Sequence, residues 1–342
     1  MAVPELLDRL LRAHGPSGHE QLAFDVVRDA VGEVAEIETD SVGNLIAHRR
    51  GEGPLLALFA HLDVIGAAVA HIGDDGLIAV HQLGSWRANV AFGQRVEIRT
   101  KDGVVPGVIA RKVKDNEKVE WGQLYVDIGA KDGDDARSKV RIGDVAVISG
   151  EPVEYPNGRV ISRSMDNRLG CFVAFEVARL VAEAGGGPGD VAGVAVTQEE
   201  ITFGGSRTTA YSLRPDVAIV VDVTFATDQP GVDEKELGKH KLGSGPVIGR
   251  GSTLDPLVFE LLHAAGDEAG IPFTVQASAR YTGTDADAFH ISRGGIPTGV
   301  VSIPLRYMHS PVEMVQLDDV ENTAKLIAAF AQKLTADLDF KR

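Results

Sequence analysis

A single cysteine, Cys171, stands among 342 residues. No internal disulfide can form, and no cysteine-based zinc site. Long apolar runs are missing as well. None approaches the roughly 18–20 residues that a membrane span needs, so no membrane association is expected. Basic charge is scarce, with 34 Lys and Arg against 49 Asp and Glu, for a net charge of −15. That balance excludes a protein built to neutralise nucleic-acid phosphates, and an acidic surface serves solubility. The opening Met1-Ala2-Val3-Pro4-Glu5 lacks the basic, then apolar, then small-residue order of a secretory signal, so a cytoplasmic location is expected. No internal repeat and no low-complexity tail is seen.

What is present is enough apolar material for a sizeable core, 44% of the chain. Residues 4–13 and 20–34 carry apolar side chains at helical spacing, and Gly15-Pro16-Ser17-Gly18 breaks the chain between them. Short β-rich runs follow at 34–39, 44–48 and 55–59. From about 68 to 156 come strand-like runs, such as 77–80, 95–99, 104–109 and 145–148. Asp-Gly pairs punctuate them, and helical periodicity is slight. After Val160 strands alternate with helices: a helix over 167–184, strands over 191–196 and 217–221, and a helix over 256–269. A strand near Thr274, a helix near 285–292, a strand over 298–302 and a closing helix over 318–338 complete the pattern. It predicts an α/β fold, a mixed sheet sandwiched by helices, interrupted by an inserted all-β, barrel-like domain. The expected division is 1–67 with 157–342 as the α/β domain and 68–156 as the insert.

Open α/β sheets place their sites at the carboxyl ends of strands, so polar residues that end apolar runs are informative. The run 55–60 leads into His61-Leu62-Asp63, 191–197 into Gln198-Glu199-Glu200, and 217–221 into Asp222-Val223-Thr224. The run 299–304 is followed by His309-Ser310-Pro311, and Asp166-Asn167-Arg168 stands where an extended stretch enters a helix. Taken singly, each reads as a helix cap or a satisfied polar residue. Together they supply two imidazoles, several carboxylates and no thiolate, a set that suits zinc, cobalt or manganese. Converging carboxylates repel one another unless cations offset the charge, so a metal site is expected. Neighbours on a strand face opposite ways. Glu199 and Glu200 can therefore share a site only if the strand ends before them, and the following Ile201-Thr202-Phe203-Gly204-Gly205 suggests a turn. Thr284, Asp285 and Asp287 read either as substrate-positioning groups or as the cap of the helix near Asp285.

Several strings then fall in one order: Gly15-Pro16-Ser17-Gly18-His19-Glu20, Asp40-Ser41-Val42-Gly43-Asn44-Leu45-Ile46, the five site strings above and Gly283-Thr284-Asp285-Ala286. With them the chain resembles, over nearly its whole length, the tetrahedral aminopeptidases, the glutamyl and leucyl aminopeptidases of the co-catalytic zinc type. The resemblance implies removal of N-terminal residues from peptides, with a metal-activated water as nucleophile. It implies two divalent cations per subunit, zinc or else cobalt or manganese. Asp166 would bridge them, with His61 and Asp222 on one and Glu200 and His309 on the other. Catalytic roles would fall to Glu199, as general base, and to Asp63, which would hold the His61 ring by its other nitrogen. The insert would mediate self-association into a homo-oligomer, from a dimer building block to a dodecameric shell.

The chain departs from the family pattern in places. Val64 stands where most members carry a third acidic residue. Gly204 stands where an arginine is expected, with Arg207 three residues on, a change that bears on the substrate pocket. The stretch 110–120 matches poorly and is rich in charges of both signs. Other readings differ in chemistry. A two-metal deacylase or carboxypeptidase would use the same ligands but not release a free N-terminal amino acid. A glycosidase needs two carboxyl groups roughly 5–9.5 Å apart and no metal, which leaves the histidines without a role. A non-catalytic metal-binding scaffold would not depend on Glu199.

Overall fold

The computed structural model describes residues 2–32, 35–49, 53–111 and 118–341. Residues 112–117, inside the poorly matching stretch, and Val34, at the join of an expected helix and strand, lie outside the described residues. Three strands come first: β1 (Glu36–Thr39), β2 (Leu45–Arg49) and β3 (Leu56–His61). Six more follow: β4 (Gly66–Ile72), β5 (Ile78–Leu83), β6 (Arg95–Thr100), β7 (Gly103–Arg111), β8 (Leu124–Asp127) and β9 (Val145–Ile148). They close into a barrel in the order β4-β5-β8-β7-β6-β9. Then come β10 (Val153–Tyr155), β11 (Arg159–Ser162), β12 (Val191–Val196), β13 (Val217–Phe225), β14 (Val247–Gly251), β15 (Thr274–Ser278), β16 (Thr298–Leu305) and β17 (Glu313–Gln316). The main sheet has eight strands in the order β1-β2-β12-β3-β13-β16-β14-β15, and β10, β11 and β17 make a small second sheet.

Strand alternation explains why helices cover both faces. On β3, Leu56, Leu58 and Ala60 join the core beneath the helices Met165–Glu183, Pro256–Ala269 and Leu317–Ala331. Ala57 and Phe59 join the opposite core, which includes Ala210 and Phe289 from the helices Gly204–Leu213 and Ala286–Phe289. The same parity holds on β13, with Val217, Ile219 and Val221 on one side and Ala218 and Val220 on the other. A strand buried on both faces reads as a continuous apolar run rather than an alternating one, and β3 and β12 are buried throughout. Among the described residues no helix is long and apolar enough to cross a membrane.

The insert has its own core, built on Ile78, Val96, Ile98, Val126 and Ile148, and closure removes the exposed strand edges that such short strands would leave. It is not wholly β: Ala88–Ala91 and Gly133–Lys139 are helical, the second capped by Asp132, whose carboxylate accepts from the Asp135 N–H at 2.9 Å. Helices of four and seven residues are too short to register as a periodic pattern. Two other expectations need correction. The closing helix ends at Ala331, short of 338, because the chain turns there and buries Leu334 against the core. The strand expected to end at Val221 runs on to Phe225, because β16 stays paired with it as far as Leu305.

Candidate metal centre

β3, β12, β13 and β16 are mutually parallel where they pair, so their carboxyl ends share one edge of the sheet. His61 lies opposite Val196, the last residue of β12. β13 leaves β3 after the Val220–Phe59 pair, which puts Asp222, inside its strand rather than at its end, level with His61. Both positions share the parity of Phe59 and Val220, so both side chains project from the same face.

β12 stops at Val196, and Gln198 takes a left-handed conformation (φ 59°) before a single helical turn, Glu199–Thr202. This turn lets adjacent glutamates reach one site. Asp63 holds it: its carboxylate accepts from the N–H groups of Glu199 (3.0 Å) and Glu200 (3.2 Å), and from Ser17 Oγ (2.6 Å). The same residue orients His61, chiefly through its main-chain carbonyl, which accepts from Nδ1 at 3.0 Å, whereas the carboxylate lies 3.5 Å away. Asp166 enters from the start of Met165–Glu183, where it and Asn167 are not yet helical. Asn167 locks this entry: its amide donates to the Val221 carbonyl (2.8 Å) and its oxygen accepts from Gly170 N–H (2.9 Å). His309 follows β16 and donates from Nδ1 to the Ser85 carbonyl (3.1 Å) at the rim of the barrel. Both imidazoles thus fix Nδ1 on a main-chain oxygen and turn Nε2 inward, the arrangement that orients a metal-binding histidine.

Two triads result, His61 with Glu199 and Asp222, and Asp166 with Glu200 and His309. In each, donor atoms lie within 4.8 Å of one another. Asp166 spans them, with Oδ1 at 3.2 Å from His61 Nε2 and Oδ2 at 3.1 Å from His309 Nε2. Glu199 lies 3.8 Å and Asp222 3.9 Å from His61 Nε2, and Glu200 3.4 Å from His309 Nε2. All seven residues expected from the sequence therefore converge. By distance alone Glu199 belongs with His61 and Asp222.

The electrostatics are those of a carboxylate excess. Burial pushes Glu199 up to about 10, and raises Glu200 and Asp222 as well. Burial alone would lower both imidazoles, but Asp166 and Glu200 push His309 up to about 12, and Glu199, Asp166, Asp63 and Asp222 hold His61 well above 6.5. Those two rings in turn keep Asp166 low against its own burial. Buried Glu200 Oε1 makes no hydrogen bond. Cys171 takes no part: its thiol, pushed up to about 12 by burial, donates to the His61 carbonyl at 3.2 Å.

One residue that braces the site escaped the sequence. Glu313 is 2% exposed, and its carboxylate accepts from the N–H groups of Met165 (2.7 Å), Asp166 (3.3 Å) and His309 (2.9 Å). Burial and the nearby Asp166 push it up to about 8 against those bonds. The available signal was an acid four residues after His309, at the start of β17. Of the ambiguous residues, Asp287 ties its loop by accepting from Thr282 and Gly283 N–H groups at 2.9 Å each. Asp285 makes no capping bond and is fully buried, which pushes its carboxyl up to about 7. Gly204 does not line the cavity over the triads, whereas its neighbour Phe203 does.

The profile of the M42 glutamyl aminopeptidase family matches residues 43–326. The chain is 35% identical to the lysyl aminopeptidase of Pyrococcus furiosus over 341 residues, covering 96% of this chain and 97% of that one. Among solved structures it superposes on a TET aminopeptidase from a marine sediment thaumarchaeon with TM-score 0.92 and 32% identity, over 97% and 96% of the two chains. The TET1 peptidase of Pyrococcus horikoshii, which can assemble into a tetrahedron or a large octahedral shell, matches with TM-score 0.86 and 28% identity over 96% and 99%. With the profile covering most of its length and a relative this similar end to end, the chain belongs to the M42 glutamyl aminopeptidase family and is a peptide hydrolase.

Proposed function

We propose that this hydrolase is a two-metal aminopeptidase that removes N-terminal residues from peptides. In this reading Asp166 would serve both of two divalent cations, with His61 and Asp222 holding one and Glu200 and His309 the other. The observation that carries it is Asp166, whose two oxygens lie within 3.2 Å of two different imidazoles. The donor set fits: two rings with Nδ1 already fixed, four carboxylates, and Glu200 Oε1 buried without a hydrogen bond. Imidazole and carboxylate donors suit zinc, and also cobalt or manganese. Bound cations would supply Lewis acidity, polarising the peptide carbonyl and lowering the pKa of water. Glu199 serves as general base, taking a proton from the attacking water and returning it to the leaving amine. Asp63 sets the position of that base, because it holds the Glu199 and Glu200 N–H groups.

Residues 1–67 and 157–342 form the catalytic unit in this reading, and 68–156 the unit of self-association. Val104, Val108 and Ile142 are exposed apolar side chains on the insert, of the kind a partner surface would cover. The shells of the Pyrococcus horikoshii relative support a homo-oligomer here too, built from dimers and extending to a dodecamer.

The test is metal content by elemental analysis, with turnover of aminoacyl-anilides before and after chelation. About two metal ions per chain and chelator-sensitive release of the free amino acid are expected. The Glu199→Gln variant should keep its metal and lose about 100-fold or more in kcat. Turnover indifferent to chelation, or an active Glu199→Gln variant, would sink the mechanism.

A further inference from the structure

A cavity of about 390 Å³ opens over the two triads, within the range of small-molecule sites. The charged residues that line it are the six of the triads and, among the described residues, no others. Beyond them the wall is neutral. Its bulk comes from Phe203, Phe225, Leu237 and Met308, and its polar groups include Thr224 and Gln276. Two charges on the adjoining loops are engaged elsewhere. The Asp287 carboxylate accepts from Thr282 and Gly283 N–H groups, and Arg306, two residues before Met308, is paired with Asp228. Thr224 Oγ1 on β13 donates to Gln276 Oε1 on β15 at 2.8 Å. That bond engages the amide oxygen, and the further capacity of the amide is its two N–H donors and a second lone pair on that oxygen.

We propose that this neutral wall is the pocket for the substrate's N-terminal side chain, that it selects uncharged, apolar side chains of leucine, methionine or phenylalanine size, and that Gln276 decides the charge selectivity. The proposal rests on the two-metal aminopeptidase reading. An ammonium or carboxylate laid against that wall gives up water and finds no ion of opposite sign on it. An apolar chain gains contact with three apolar residue types. Gln276 is the position where one change adds a charge without changing side-chain length. With Glu there, Thr224 still has an oxygen to donate to, and a carboxylate becomes available to a basic side chain.

The experiment compares kcat/KM of the metal-loaded protein on leucyl, methionyl, phenylalanyl, lysyl and glutamyl anilides. The three apolar substrates are expected on the order of 100-fold ahead of the two charged ones. In Gln276→Glu the lysyl-to-leucyl ratio should rise about tenfold or more, chiefly through KM. Leu237→Glu, which changes the same cavity from a different segment, should move the ratio in the same direction and covers the case in which the first variant does not fold. A wild-type protein that cleaves lysyl or glutamyl anilide as fast as leucyl anilide overturns the proposal. So do folded, metal-loaded variants with an unchanged ratio. A protein with two bound metals and no turnover of any anilide overturns the aminopeptidase reading itself, and this proposal with it.

Discussion

Glu313→Gln tests whether the centre is held by its backbone as well as by its ligands. One carboxylate takes three N–H donors: Oε2 accepts from Met165 and Asp166, and Oε1 from His309. Glutamine has nearly the same shape but only one acceptor oxygen. Whichever way the amide turns, its NH2 meets either the His309 N–H or the Met165 and Asp166 pair. A buried donor left unmet costs about 1–3 kcal/mol, and the strain falls on the segment that carries Asp166 or His309. These are two members of one triad, so metal affinity should drop about 10–100-fold, the usual penalty when a group behind a ligand is changed. Zinc affinity measured by competition with a chromophoric chelator reads this directly, and circular dichroism checks that the fold survives. Zinc affinity and kcat both within twofold of wild type, in a folded Glu313→Gln protein, would refute the argument.

Two further substitutions probe the support of the Glu199–Glu200 turn. Glu20, 4% exposed, is pushed from 4.5 up to about 7 by burial and by Asp63, with Arg168 also near, while its Oε1 accepts from Gly18 and Gln198 N–H groups. Because the folded state holds this proton more tightly than the unfolded one, its contribution to stability falls as pH rises from 4.5 to about 7, by about 3 kcal/mol at most, and is flat above. Glu20→Gln keeps the accepting oxygen and removes the titration. Its thermal midpoint should therefore fall less than that of wild type between pH 5 and pH 8, and parallel curves would contradict the assignment. Gly205→Ala would bring a Cβ within 2.3 Å of Asn44 Oδ1 and 2.6 Å of the Thr197 carbonyl, where Asn44 Oδ1 accepts from Thr197 N–H. A loss of about 1–3 kcal/mol in urea unfolding is expected, and an unchanged midpoint would show that the strand end yields freely.

Local pattern and motif order made much of this protein legible in the sequence. The apolar runs at 55–60, 191–196 and 298–302 are strands because a strand buried on both faces has no polar side to alternate. Their residue types and ends located His61, Glu199 and Glu200, and the break after Glu200 foretold the turn that lets both glutamates face inward. Two imidazoles and several carboxylates without a thiolate already implied a cation site. What tertiary structure alone decided lies in contacts far apart along the chain. Glu313 reaches Met165 across 148 residues, and Asp63 reaches Glu199 across 136. Asp222 stays inside its strand only because β16 continues beside it. The neutral wall joins Thr224 to Gln276 across 52 residues. Periodicity reports which face of its own element a residue occupies. Which distant N–H, carboxylate or side chain it meets is set only when the chain returns and the elements pack.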